Sequence, residues 1–224
     1  MKLYPFLILL LNVQLVVGQK ISNVNFNTIK SLVEDKKSTF YYPNLLERMR
    51  NLDTSITTEE FSYLYYGNVY FEKYSPYSTG KNQEEFFKFY NKKEYEKAIP
   101  LGLKELEENP INLTMLFKML VCYHVSGDKS TARKYAKLYY GLLGSIYDSG
   151  DGKGIETAFV VIKVADEYQI LADLELESTS QSLQGDTDVL VLDKKSQEKI
   201  EKLYFNVRKP LESLRNQFRS KKKD

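Results

Sequence analysis

The feature that most constrains the fold is a pattern that returns after 34 residues in the middle of the chain. Ala98 and Ala132 are 34 residues apart, and Phe89 and Tyr123 have the same separation. Each alanine follows a short polar turn, and a small side chain lets two crossing helices approach closely. The period therefore predicts two consecutive helical hairpins within residues 81–145.

A 34-residue period of this kind is the signature of tetratricopeptide-like repeats. Pro110 lies 12 residues after Ala98, where such a repeat closes, and Gly144 holds the equivalent place in the second unit. We expect a helix to end at each. Pro100 and Gly102 depart from the pattern, because both residue types weaken an interior helical turn. Two units are also fewer than a free-standing solenoid needs, which predicts that flanking segments cover the ends.

The first 18 residues have the composition of a signal peptide. Lys2 precedes an apolar run of 15 residues, 3–17, which is shorter than the roughly 20 residues that a membrane-spanning helix requires. We expect cleavage after Gly18, and hence a periplasmic or secreted protein with no transmembrane segment once the signal is removed. Cys122 is the one cysteine, so no internal disulfide can form.

Composition favours a packed fold and argues against a nucleic-acid partner. The chain is 42% hydrophobic, and its 32 Lys and Arg residues nearly balance its 30 Asp and Glu residues. A nucleic-acid-binding protein normally shows a basic face. The expected organisation is a signal peptide at 1–18, a helical, tetratricopeptide-like region at 19–149 and an α+β region at 150–224 packed on it.

The flanking segments have their own local signals. Thr57 and Glu60 have the spacing of a capping box, which predicts a helix over 58–66 that ends at Gly67 in a left-handed cap. The apolar residues Ile29, Leu32 and Val33 predict an earlier helix, as do Leu45, Leu46 and Met49.

The chain changes character after Gly150. The run 157–164 is apolar and rich in β-branched residues, which predicts a strand covered on both faces. The segments 187–192 and 200–207 are predicted to pair as a hairpin. A helix over 166–176 and a last helix opened by Pro210 complete an α+β fold, in which helical hairpins precede a small, mostly antiparallel sheet and a C-terminal helix.

Eight short segments, taken in order, show a further resemblance. They are DTSITTEE at 53–60, YLYYG at 63–67, YSPY at 74–77, GDG at 150–152, ETAF at 156–159, DEY at 166–168, QSL at 181–183 and YFN at 204–206. Together they resemble a domain-of-unknown-function family, number 4919, of exported proteins from Gram-negative bacteria. The resemblance covers nearly the whole mature chain and implies an exported protein of this architecture. The tripeptide 153–155 departs from the Ser- and Pro-containing form of that loop. Because the family has no assigned activity, no catalytic residue is implied.

The residues themselves indicate no catalytic, cofactor-binding or metal-binding site. Cys122 and His124 stand two apart on a predicted helix and thus point to different faces, which excludes a Cys–His dyad there. Cys122 is predicted to be a small core residue. The glycine-rich stretch 148–154 matches neither a phosphate-binding loop nor a calcium loop, so we expect a tight connection into the sheet. A hydrolase that uses carboxylates remains an alternative.

Tyrosines give the best indication of function. Residues 61–77 contain eight aromatics in seventeen positions, a density that suits an anchoring surface for a peptide or a stacking surface for a sugar. The candidate partner-binding residues are Tyr66, Tyr70, Tyr74 and Tyr77. We expect a non-enzymatic binding or scaffold protein with a helical-repeat groove for a peptide or protein partner. The alternatives are a protein that handles glycans or small molecules and a structural component of the cell envelope.

Overall fold

The computed structural model describes residues 21–72, 74–77, 80, 82–193 and 200–220. The predicted signal peptide and its cleavage site lie outside these residues. Within the described ranges, no helix combines the length and the apolar character needed to cross a membrane.

Three short helices precede the repeat region. They are α1 (Phe26–Glu34), α2 (Tyr42–Arg50) and α3 (Thr58–Gly67). The predicted apolar stripes are confirmed, because Ile29 and Val33 on α1 and Leu45 and Met49 on α2 are buried. The capping box at Thr57 is also confirmed, with both of its reciprocal hydrogen bonds to Glu60 formed.

The predicted left-handed cap at Gly67 is wrong. Its φ is −64°, and the chain continues from α3 into a 3-10 turn at Asn68–Tyr70. The glycine is needed for close packing, since a Cβ there would lie 2.9 Å from Val33 Cγ1 and 3.0 Å from the Tyr42 ring. The end of α3 thus approaches α1 and α2 more closely than any larger residue would allow.

The centre of the chain forms the two predicted helical hairpins. Their helices are α4 (Gln83–Asn91), α5 (Tyr95–Glu108), α6 (Leu113–Val125) and α7 (Lys129–Ser149). Ala98 is 0% exposed and Ala132 is 5% exposed. The small residues of the 34-residue period therefore do face into the helix packing.

Proline and glycine positions within these helices are explained by packing. Pro100 lies inside α5, in its second turn, and Gly102 follows it. A Cβ on Gly102 would lie 2.3 Å from Met119 Sδ and 3.0 Å from the Phe86 ring, so α5 meets α4 and α6 across this glycine. The expectation that Gly144 ends a helix is wrong, because α7 continues past it to Ser149. A Cβ on Gly144 would meet nothing within 4 Å.

A four-stranded mixed sheet and two helices complete the α+β fold. They are β1 (Phe159–Val160), α8 (Ala165–Asp173), β2 (Ser178–Gln184), β3 (Thr187–Leu192), β4 (Lys202–Asn206) and α9 (Arg208–Ser220). The strand order is β1-β4-β3-β2. β1 is parallel to β4, and the other two pairings are antiparallel. The predicted β3–β4 hairpin and helix α8 are confirmed, whereas α9 begins at Arg208, two residues before the predicted start at Pro210.

The sheet differs from the predicted one in two strands. The apolar run 157–164 contains only a two-residue strand, although every residue of 158–162 is buried. The hydrophobicity of this run therefore reflects the burial of its side chains and does not predict the length of the strand. β2 was not predicted, because its sequence STSQSLQ lacks apolar alternation, and all but its first residue are exposed. It is the edge strand, placed by its pairing with the buried β3.

The glycine-rich loop after α7 is the tight connection that the sequence predicts. The backbone N–H groups of Asp151 and Gly152 donate to Thr157 O at 2.9 and 2.8 Å. Gly152 has a φ of +68°, a conformation that strongly favours glycine. The Tyr204 N–H then donates to Gly152 O at 3.0 Å, which ties the loop to β4.

Candidate functional site

The predicted partner-binding tyrosines fall into a buried and a surface group. Tyr66 is 3% exposed, and its hydroxyl shares its single proton between Ser145 O at 3.0 Å and Val160 O at 3.1 Å. It is a core residue that links α3 to α7 and β1. Its side chain therefore presents almost no surface, although it lies in the wall of a separate cleft of about 290 Å³ beside Tyr63.

The other three tyrosines lie in the tyrosine segment, defined here as the described residues within 68–77. Tyr70 and Tyr74 are half-buried. Their hydroxyls donate to backbone carbonyls, Tyr70 to Phe26 O at 2.8 Å and Tyr74 to Ile162 O at 2.6 Å. Tyr77 is 46% exposed. Tyr70 and Tyr74 therefore present ring surface while their polar ends are fixed to the scaffold.

A cleft runs between the tyrosine segment and α9, and we call it the α9 groove. Its volume is about 400 Å³, with Tyr70 and Tyr74 on one wall and Ser213 and Asn216 of α9 on the other. A second cleft of about 540 Å³ runs along residues 22–27. Both clefts include Lys209 and Glu212 in their walls, so they adjoin at these two residues.

The charged residues at the junction of the two clefts are already paired. Lys209 Nζ lies 2.7 Å from Glu212 Oε2 and 4.8 Å from the centroid of the Phe26 ring. The groove therefore carries no net charge at this point. Such a surface suits a neutral, polar ligand better than a strongly charged one.

Helix α9 leaves its apolar residues incompletely covered. Leu211 and Leu214 are half-buried, and Phe218 is 60% exposed. These three residues recur at helical spacing, the arrangement by which a helix normally buries one face. Part of this face is thus left uncovered by the described residues of the chain.

The helical hairpins themselves offer less space. A cavity of about 120 Å³ lies where α2 meets α5 and α6, with Leu103, Leu106 and Leu116 in its wall. It is smaller than the α9 groove. Of the predicted tyrosines, Tyr70 and Tyr74 line the α9 groove and none lines this cavity.

Buried acids lie behind the tyrosine segment. The Tyr65 hydroxyl donates to Asp166 Oδ2 at 2.6 Å and accepts from the Ile162 N–H at 3.2 Å. Burial raises the pKa of Asp166 to about 6. Glu167 is 0% exposed. Burial, and then the neighbouring Asp188, raises its pKa to about 9, so it is neutral at pH 7.

These groups do not form an accessible catalytic centre. A carboxyl with no exposed surface cannot contact a substrate in this conformation, whatever its pKa. Cys122 is 0% exposed, which confirms it as a core residue, and burial raises the pKa of its thiol to about 11. In the described ranges, no group of three or more His, Cys, Asp or Glu side chains is arranged to hold a metal ion.

A small polar cavity was missed by sequence reasoning. Glu105 of α5 and Lys163, between β1 and α8, both line a space of about 140 Å³. In the sequence, Glu105 looks like an ordinary acid on a helix surface, because the residues around it at 104–109 are KELEEN. The one sequence feature that could have indicated this cavity is Lys163, a single charge inside the apolar run VVIKV at 160–164. A charged residue is unexpected in such a run.

Fold and site together define an α+β protein in which helical hairpins and a small sheet hold a tyrosine-lined groove beside the last helix. The chain belongs to the family described as Domain of unknown function (DUF4919), whose sequence model matches residues 27–216. No curated protein and no solved structure matches the chain. The match includes α1 through most of α9, and thus both walls of the α9 groove.

Proposed function

We propose that this chain is an exported, non-enzymatic binding protein that holds an extended peptide segment of a protein partner in the α9 groove. The observation that carries the proposal is the α9 groove between half-buried tyrosines and an incompletely covered helix, with a second cleft beside it. Two neighbouring clefts of about 540 and 400 Å³ suit an extended chain better than a compact ligand.

The tyrosines favour binding because they are held in place before a ligand arrives. The Tyr70 hydroxyl donates a hydrogen bond to the backbone of α1, and the Tyr74 hydroxyl donates one to the backbone of the segment after β1. A rigid aromatic ring loses little conformational entropy on binding, and tyrosine is enriched among the residues that dominate interface energies.

The polar residues of the groove suit a peptide backbone. Ser213 and Asn216 supply a hydroxyl and an amide, groups that can each both donate and accept hydrogen bonds. The ion pair of Lys209 and Glu212 is satisfied within the chain. A neutral backbone therefore costs less to accommodate than an unpaired charge.

Export is supported by the composition of residues 1–18. An exported protein meets an oxidising compartment, and Cys122 is sealed in the core, where it cannot pair with an external thiol.

The proposal is tested by selecting peptides from a random phage-displayed library on the purified chain. Affinities of the enriched peptides are then measured by isothermal titration calorimetry. Ser213→Arg and Asn216→Arg place a long cation in the groove, and Ser130→Arg places the same side chain on an exposed site of α7. We expect at least a tenfold loss of affinity in the two groove variants, about 1.4 kcal/mol, and no change in the α7 variant.

Two results would contradict the proposal. One is a library that yields no enriched peptide. The other is a set of enriched peptides that bind the groove variants and the α7 variant equally well.

A further inference from the structure

The two edges of the sheet differ in length and in exposure. On one side, β1 has two residues, and both are buried. On the other side, β2 has seven residues, and all but the first are exposed. An edge strand presents backbone N–H and C=O groups that can pair with a strand of another chain. β2 is therefore the edge with room for such a pairing.

β2 lacks the features that usually protect an edge strand. Folded proteins protect their edges with charged side chains, prolines and bulges. The sequence of β2, STSQSLQ, contains no charged residue and no proline. Its one irregularity of register lies between Ser178 and Ser180, at the start of the strand. The rest of the edge runs in regular register to Gln184.

The turn after β2 determines which backbone groups point outward. A two-residue loop joins the paired Gln184 and Thr187. Its first residue, Gly185, has a φ of +64°, as expected at that position of a type II′ turn. The residues that flank such a loop form a hydrogen-bonded pair, and such pairs alternate with non-hydrogen-bonded ones along the ladder. The N–H and C=O groups of Gln181 and Leu183 therefore point away from β3.

We propose that β2 pairs antiparallel with β2 of a second copy of this chain, with the two-fold axis at Gln181. The two Gln181 residues would exchange both of their backbone hydrogen bonds, and the two sheets would become one sheet of eight strands. In this register Ser180 lies opposite Ser182 of the second copy, and Thr179 lies opposite Leu183. A charged strand of another protein would find no opposite charge on β2, whereas a second copy supplies a matching uncharged strand.

The side chains of β2 suit this register. Leu183 is 55% exposed, and Thr179 of the second copy would cover part of it. The hydroxyls of Ser180 and Ser182 can each donate and accept a hydrogen bond across the pair.

The central residue is already held in place. The Tyr168 hydroxyl donates to Gln181 Oε1 at 3.0 Å, and Gln181 Nε2 donates to the Asp188 carboxylate. The strand is thus fixed at the position of the axis before a second copy arrives, which lowers the entropy cost of pairing.

The acids that flank β2 do not oppose the pairing. Glu177, directly before the strand, would face Gly185 of the second copy, which has no side chain. The charge of Asp186, next to that glycine, is balanced within its own chain, because Arg208 Nε lies 3.5 Å and Arg215 Nη2 lies 3.1 Å from its carboxylate. No residue of β2 lines the α9 groove or the cleft beside it, so the pairing is distinct from the proposed peptide binding.

The pairing is tested by sedimentation velocity of the purified chain over a range of about 1–200 µM. A single pair of strands lies at the small end of protein interfaces, so we expect a Kd on the order of 10 µM. The expected result is a sedimentation coefficient that rises with concentration from the monomer value to the dimer value.

Two double variants at exposed positions test the register. Ser180→Lys with Ser182→Lys places like charges opposite each other on both sides of the axis, and we expect association to weaken at least tenfold. Ser180→Glu with Ser182→Lys places opposite charges there, and we expect association as strong as in the parent. Asn91→Lys with Ser130→Lys, at exposed positions of α4 and α7, adds the same two positive charges elsewhere and should leave the Kd unchanged.

Two results would overturn the proposal. One is a parent chain that stays monomeric over the whole concentration range. The other is equal association of the Lys–Lys and Glu–Lys variants, which would place the contact between copies elsewhere. Circular dichroism of each variant checks that the fold is kept.

Discussion

Glu167→Gln should change how the stability of this protein depends on pH. The Glu167 carboxyl is 0% exposed, and neither oxygen has a hydrogen-bond partner among the described residues. Burial, with Asp188 and Asp166 nearby, raises its pKa from 4.5 to about 9. The folded protein thus keeps this proton at pH 7, whereas the unfolded chain releases it.

The sign and size of the effect follow from that difference. The contribution of Glu167 to stability is complete below pH 4.5, where both states hold the proton. It is lost as the pH rises from 4.5 toward 9, because only the unfolded state gains by ionising. The loss is about 1.4 kcal/mol per pH unit, and therefore about 3 kcal/mol at pH 7. Glutamine cannot ionise, so the variant should not show this loss.

Urea unfolding followed by circular dichroism at pH 4.5 and pH 7 measures the effect. The stability of Glu167→Gln relative to the parent should increase by about 3 kcal/mol between the two pH values, or about 1.5 M in urea midpoint for a slope near 2 kcal/mol per molar. A constant offset from the buried amide cancels in this comparison. Asp166, whose pKa is also raised, is common to both proteins.

Glu156→Gln is the matched control, since Glu156 is exposed. Its stability relative to the parent should stay nearly constant with pH. The reasoning is refuted if Glu167→Gln and Glu156→Gln give the same constant difference, because the Glu167 carboxyl would then be solvated in the folded protein.

Two further substitution pairs test the packing of the helices. Gly102→Ala should destabilise by about 1–3 kcal/mol, because its Cβ overlaps a methionine sulfur of α6. Gly144→Ala should stabilise by up to about 1 kcal/mol, since it gains helix propensity in open space; equal effects in urea unfolding would contradict the packing explanation. Tyr65→Phe should cost about 1–3 kcal/mol in the same assay, because a buried aspartate and a backbone N–H lose their shared partner. Tyr140→Phe, at a residue 53% exposed, should cost almost nothing; a similar cost for both would refute the role assigned to the buried hydroxyl.

The helical part of the fold was predictable because its signals are local. The 34-residue period placed Ala98 and Ala132 in helix packing, where both are buried. The capping box at Thr57 needed only the next few residues to be recognised. Such features depend on neighbours in sequence and so can be read without coordinates.

The errors occur where distant residues decide the structure. β2 is polar and exposed, and only its pairing with β3 makes it a strand. Gly67 looked like a helix cap, yet it is small because Val33 and Tyr42 pack against it.

The same limit applies to the sites. Nothing local separates Tyr66, which is buried, from Tyr70, which lines the α9 groove. The sequence also gives no reason to place Glu105 near Lys163, because they are 58 positions apart and only the folded chain brings them to one cavity.

The hydrogen bonds of the tyrosine hydroxyls affect the order in which the protein folds and the behaviour of its fragments. Tyr65, Tyr66 and Tyr74 join the helical half to residues 160–166, across sequence separations of 101, 94 and 88 residues. Bonds between such distant positions require the ends of a long loop to meet, so we expect them to form after the hairpins. A fragment that stops at the end of α7 would keep the hairpins and lose the acceptors of Tyr65 and Tyr74. Its exposed tyrosine face should make the fragment prone to aggregation and to cleavage by proteases. We therefore expect the segments on the two sides of residue 150 to unfold together.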